Sequence, residues 1–147
     1  MYFNVTSSPS AQWTAQQVVQ AFPFDTAPRF LIRDHDSIYG TFLPKRIGDL
    51  GIEEVLTAYR SPWQNPYCER WIGTARRDCL DHVIIWNEAH LRRTLHEFLS
   101  YYHADRTHQG LANDCPESRP VEPRSVGRVV ELPRVGGLHH RYTRLAA

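Results

Sequence analysis

Apolar positions recur along the chain with helical spacing in some stretches and as short unbroken runs in others. Thr14 opens a first helix, with Gln17 three residues on as a capping box and Trp13 and Val18 in the staple positions. Ala15, Val18, Val19 and Phe22 make its buried face, and Pro23 stops it. Before it, Tyr2–Thr6 reads as a short strand broken by the cluster SSPS. Arg29–Arg33 is an apolar run without polar alternation, which predicts a strand covered on both faces. Phe42, Leu43, Ile47 and Leu50 predict an amphipathic helix over Thr41–Leu50, interrupted by Pro44 and closed by Gly51. Ile52–Thr57 is a second short strand.

A loop over Ala58–Gln64 then feeds a helix. Asn65 suits the N-cap and Pro66 the first helical position. Cys68, Ile72, Ala75 and Cys79 form its apolar stripe. The longest helix runs from Asn87, its cap, to about Tyr102, with Leu91, Leu95, Phe98 and Tyr102 in a stripe and Arg92 and Arg93 off it, solvated. From Ala104 the pattern dissolves. Pro116, Pro120 and Pro123 mark an extended linker, and Val129–Leu132 and Leu138–Tyr142 flank the turn PRVGG as a β-hairpin.

Composition narrows this picture only a little. The chain has 147 residues, 41% hydrophobic and 22% charged, which fits one globular α/β domain. No run approaches a membrane span, and MYFNVTSSPS lacks the basic and apolar segments of a signal peptide. Three cysteines form no paired framework and suit a reducing, cytoplasmic setting. The net charge of +1 gives no argument for nucleic acid. From Arg119 onward six arginines (119, 124, 128, 134, 141, 144) stand against Glu122 and Glu131, a basic tail that could touch a phosphate backbone but is expected, without other evidence, to be solvated.

Candidate chemistry centres on two acids. Asp34 closes the buried strand, where open α/β sheets place ligand-binding groups. Glu69 lies one turn into the Pro66 helix, and Gly73 and Arg76 share its face at i+4 and i+7. Alone, each has a plainer reading: Asp34 as a turn residue followed by Asp36 and Ser37, Glu69 as a complement to the helix dipole. Together a strand-end and a helix carboxylate can converge on one hard divalent cation.

The series RFLIRDHDSIYG, SPWQNPYCERWIGTARRDCLDH and YYHADRTHQGL resembles the integrase core of insertion-sequence transposases, bacterial relatives of retroviral integrases. The likeness covers Met1–Pro123. It implies an RNase H-like α/β fold and an Asp-Asp-Glu triad using Mg²⁺ or Mn²⁺. By it Asp34 matches the second acid and Glu69 the third, with 34 residues between them (69 − 34 − 1). Arg76, with Arg77 beside it, matches a basic position near the DNA end. Arg106 and His108 match the signature after the long helix, structural or DNA-proximal in role. The implied reaction is in-line attack on a phosphodiester by water, then by the freed 3′-hydroxyl, with no covalent protein–DNA intermediate.

One position departs from the pattern. The family's first acid lies on the first strand of the core, and Met1 falls at the third. Asp25 lies past the first helix, and Asp36 matches no triad position. The sequence therefore reads as an N-terminally truncated core over 1–123, its first two strands and one acid missing, followed by a basic tail over 124–147. Exposed strand edges and inactivity of the chain alone are expected. Its expected partners are DNA and a second copy or a full-length transposase, in a nucleoid-associated setting without membrane.

Other classes compete. A non-catalytic fragment that binds DNA or transposase fits the same arginines. Zinc has a local Cys79-x₂-His82 pair and eight histidines to draw on, but no C-x₂-C, and structural sites need four spaced ligands. A nucleophilic hydrolase lacks the G-x-S-x-G elbow. His35 reads as a solvent-exposed loop residue.

Overall fold

The computed structural model describes residues 1–23 and 26–146. Asp25 lies outside them. The regular elements are α1 (Ala11–Ala21), β1 (Phe30–Arg33), α2 (Phe42–Asp49), β2 (Glu53–Leu56), α3 (Pro66–Asp78), α4 (Glu88–Ala104), β3 (Arg128–Arg134) and β4 (His139–Leu145). The chain is α/β, and its described strands pair as two small sheets, β1 with β2 and β3 with β4. It gathers into two compact units, Met1–Gly73 and Thr74–Ala147, with the boundary inside α3.

In the first unit β1 and β2 run parallel, Phe30 opposite Glu53 and Arg33 opposite Leu56. Parallel neighbours need a crossover, and α2 lies in it. Leu43 and Ile47 of α2 are 2% and 1% exposed, and with Ala15 of α1 and Ile52 they form the core. Leu31 of β1 packs onto this cluster. Its neighbours Phe30 and Ile32 point the other way and are 45% and 47% exposed. The expectation of a strand covered on both faces is therefore corrected: the α1–α2 core lies on Leu31's side only.

Local chemistry explains three further differences. α1 starts at Ala11, ahead of the Thr14 box, because the Ser10 hydroxyl accepts the Trp13 N–H at 3.1 Å. Gln17, freed from a capping role, accepts the Tyr2 hydroxyl at 2.8 Å and the Asn4 amide at 2.7 Å. The predicted strand Tyr2–Thr6 does not form, and its polar side chains bond to α1 instead. Pro44 does not interrupt α2. It falls in the first turn, where backbone N–H groups have no intrahelical acceptor.

α3 begins at Pro66 as the sequence predicts. Its stripe is buried only in the second half. Ala75 and Cys79 are 6% and 0% exposed, whereas Ile72 is 50% exposed and Cys68 is also exposed.

In the second unit the Asn87 side chain caps α4 by accepting the His90 N–H at 2.8 Å. Phe98 is wholly buried, its ring beside those of Tyr101, Tyr102 and His139. The hairpin forms and is longer than predicted, pairing Arg128 with Leu145 through Arg134 with His139. Gly127, at φ 142°, is required at its open end, where a Cβ would stand 2.0 Å from the Leu145 carbonyl oxygen.

The basic tail is not simply solvated. Arg134 Nε donates to Asp105 at 2.7 Å, with Arg141 at 3.2 Å and Arg119 at 3.9 Å from the same carboxylate, whose side chain is 3% exposed. Glu122, in the proline-rich stretch, accepts the Thr143 hydroxyl at 2.6 Å. That stretch therefore runs along β4 as a bonded segment and not as a free linker.

These cores set a stability expectation. Ile47→Ala should lower unfolding free energy by about 2–5 kcal/mol and Phe98→Ala by about 3–5 kcal/mol. Asn87→Ala should lower it by about 1 kcal/mol, the loss of one cap. Urea unfolding of the three variants measures each shift.

Candidate functional site

The β1–β2 ladder runs to the end of β1, where the Thr57 N–H donates to the Arg33 carbonyl at 3.0 Å. Asp34 therefore leaves the strand at its C-terminal end. Asp36 then accepts the Ile38 N–H at 3.0 Å and starts a single tight turn, Ser37–Tyr39. That turn folds the Tyr39 hydroxyl back onto Asp34, to which it donates. Arg33 lies over the Tyr39 ring at 4.9 Å and donates to Glu54 at 2.5 Å, so the strand end is anchored on both sides.

The second acid arrives from β2. After Thr57 the loop is tied by the Ala58 N–H, which donates to the Gln64 side chain at 2.6 Å. Arg60 within it holds a left-handed backbone, φ 55°, uncommon for a residue with a side chain. α3 then begins, and Glu69 sits in its first turn. Asp34 and Glu69 line one cavity of about 490 Å³, wholly within Met1–Gly73, with Asp36, Tyr39, Cys68 and Ile72 also among its lining residues.

Two neighbouring groups register the acids. Burial first, then the hydrogen bond to Asp34 and the charges of Asp34 and Asp36, push the Tyr39 hydroxyl up from 10.0 to about 12. Partial desolvation, then the charges of Glu69 and Asp34, hold the Cys68 thiol above its usual range. One thiol on α3 thus feels both carboxylates.

His35 is exposed, as the sequence suggests, yet it is pinned. Its Nε2 lies 2.7 Å from the Thr57 carbonyl oxygen, and its ring stacks on Tyr59 with centroids 4.0 Å apart. A carbonyl only accepts, so Nε2 carries the proton in this contact. Tyr39, Gln64 and the anchoring of His35 were not read from the sequence. The signal for Tyr39 was present in D-S-I-Y, a cap followed by one turn.

Two carboxylates lining one cavity offer the oxygen ligands that a hard divalent cation takes while it retains several waters. Among the described residues no group of three or more His, Cys, Asp or Glu side chains gathers as a metal-binding cluster. Asp36 borders the cavity, but one of its oxygens is engaged by the Ile38 N–H.

The basic candidates lie elsewhere on the chain. Arg76 and Arg77 are exposed in the last turn of α3. Arg106 donates to Asp78 at 2.9 Å and lies over the Tyr102 ring at 5.4 Å. His108 Nδ1 is 3.5 Å from Arg106, and its Nε2 is 3.4 Å from the Tyr102 carbonyl oxygen. Arg106 and His108 thus tie the end of α4 within the second unit.

The raised Tyr39 hydroxyl has a definite linkage. Its folded value lies above the unfolded one, so its stabilisation is complete below pH 10 and is lost as pH rises through about 12. Tyr39→Phe should remove part of the stability lost over that alkaline interval. Thermal melts of both proteins across it measure the difference.

Compared with models of known families, residues 50–116 match the integrase core domain. No curated protein and no solved structure matches the chain. The matched segment contains Glu69, Arg76, Arg77, Arg106 and His108 and begins after Asp34. Over that part, the chain is similar to integrase cores.

Proposed function

We propose that the chain serves DNA integration or transposition through an RNase H-like integrase-core site, with Asp34 and Glu69 holding Mg²⁺ or Mn²⁺. One observation carries the reading: a strand-end acid and a helix acid border the same cavity, and the helix lies in the segment similar to integrase cores. When bound, the ion supplies Lewis acidity to a scissile phosphodiester. Asp34 and Glu69 supply anionic oxygens to hold it, and Tyr39 fixes the orientation of the Asp34 carboxylate by donating to it. Arg76 and Arg77 offer guanidiniums to backbone phosphates, which give affinity and register without sequence information.

Strand transfer in the resembled family takes three acids, and this reading assigns two. The chain by itself is therefore expected to bind metal and DNA with negligible turnover. It would act alongside a second copy or a full-length transposase.

Cys68 provides a readout independent of turnover. A cation between Asp34 and Glu69 offsets the charges that raise this thiol, so Mg²⁺ should speed its alkylation severalfold near neutral pH. Cys79 and Cys115 are buried and stay unlabelled in the folded chain. The double variant Asp34→Asn, Glu69→Gln should lose the metal effect. An unchanged Cys68 rate on adding Mg²⁺ to the unsubstituted chain overturns the metal reading.

Arg76→Ala with Arg77→Ala should weaken duplex binding at any sequence and reduce the salt slope by about 1 per arginine. DNA binding that ignores both Mg²⁺ and the acid substitutions would instead favour a non-catalytic binding role.

A further inference from the structure

We propose that the cavity beside the C-terminal hairpin binds a nucleoside phosphate, with the phosphate on Arg119, Arg141 and Arg144 and the base against the Tyr142 ring. The cavity measures about 580 Å³ and lies wholly within the second unit. That volume falls in the range of small-ligand sites, roughly 300–1,000 Å³. It is separate from the Asp34–Glu69 site, and the proposal does not depend on how that site is read.

Charge selects the phosphate. One buried carboxylate, Asp105, faces three guanidiniums, those of Arg119, Arg134 and Arg141. Arg134 makes the short bond, while Arg119 stands at 3.9 Å, beyond hydrogen-bonding distance. Arg141 Nε is buried with no acceptor, and Asp105 Oδ1 receives no hydrogen bond. The Asp105 carboxylate thus leaves Arg119 and Arg141 with unused donors. Arg144 joins them on the cavity wall, donating to the Gly127 carbonyl at 3.0 Å.

With Asp114 and Glu122 added, the three guanidiniums that border the cavity, those of Arg119, Arg141 and Arg144, stand against two bordering carboxylates, Asp105 and Arg134 not being among the lining residues. Both added carboxylates are turned to local donors. Asp114 accepts from Ser118 at 2.7 Å and from the Cys115 N–H at 2.8 Å, and Glu122 accepts from Thr143 and the Arg144 N–H. Arginine forks match phosphate oxygens in pairs, which favours this anion over a lone halide, and a phosphomonoester offers three terminal oxygens to several guanidiniums where a carboxylate offers two.

The walls select the rest of the ligand. Val121 is 94% exposed, Tyr142 58% and Val129 54%, an unusual group of uncovered apolar side chains beside a cationic floor. A bare oxyanion would leave them wet. A purine or pyrimidine carried on the phosphate covers them and presents its face to Tyr142, as bases do on exposed aromatic rings. The same phosphomonoester and base occur in a free nucleotide and at the 5′ end of a nucleic-acid strand.

Calorimetric titration of the full chain, without divalent metal, tests this. The probes are adenosine 5′-monophosphate, adenosine, inorganic phosphate and a short 5′-phosphorylated single-stranded oligonucleotide. The monophosphate should bind at least about tenfold tighter than adenosine or phosphate, and less tightly as salt rises. Val121→Asp puts a negative charge in the cavity at a position the fold barely touches, and should weaken binding about tenfold or more with unchanged circular dichroism and melting. Val121→Ser should leave binding intact.

Equal affinity for the oligonucleotide assigns the site to a strand end, and a preference for the mononucleotide assigns it to a free nucleotide. Either supports the proposal. No binding, monophosphate binding no tighter than phosphate, or indifference to Val121→Asp overturns it. Repeating the titration with Asp34→Asn, Glu69→Gln separates its fate from that of the metal site, because this binding should be unchanged there.

Discussion

Two parallel strands cannot be joined by a tight turn, and this constraint arranges the first unit. β1 and β2 have four residues each, so the sheet has little strength of its own. The chain between them must cross over, and α2 in that crossover brings Leu43 and Ile47 against Ala15, Ile52 and Leu31. Parallel register also sends both strands out at the same end. Asp34 and Thr57 leave the sheet together, and the chain that follows them carries the Tyr39 turn and the Glu69 helix, both of which line the cavity. The cavity between the two acids is a consequence of strand direction before it is one of any particular side chain.

Burial and exposure divide along the same lines. Leu31 faces a helix-covered core, while Phe30 and Ile32 face outward. On α3 the turns bordering the cavity keep Cys68 and Ile72 open, and the later turns bury Ala75 and Cys79. An apolar stripe reports the face that can be buried. Whether it is buried depends on what lies opposite each turn.

The second unit is organised by charge as much as by apolar packing. Asp105, at the end of α4, is nearly inaccessible, and an unpaired carboxylate there would be strongly unfavourable. Arg134 and Arg141 from the hairpin and Arg119 from the preceding segment resolve this, and they hold those segments against the helix end. Asp78 does similar work at the end of α3, receiving Arg106 at its side chain and His139 at its carbonyl. The excess of guanidiniums around Asp105 then remains for whatever anion the adjoining cavity admits.

The sequence alone determined the elements that rest on local chemistry. Pro66 starts α3, Asn87 caps α4, the apolar stripes mark the helices, and the glycine-rich turn makes the hairpin, because caps, ring constraints and backbone freedom act within a few residues. It also singled out Asp34 and Glu69, since a strand end and a first helical turn are legible in order and spacing. Only the tertiary structure decided that β1 is covered on one face, that Tyr2–Thr6 bonds to Gln17 in place of forming a strand, that Tyr39 holds Asp34, and that the tail arginines turn inward to Asp105. Each of these depends on a partner distant in sequence or on a fold-back through a turn. A one-dimensional pattern records what a residue can do and leaves out which group it meets.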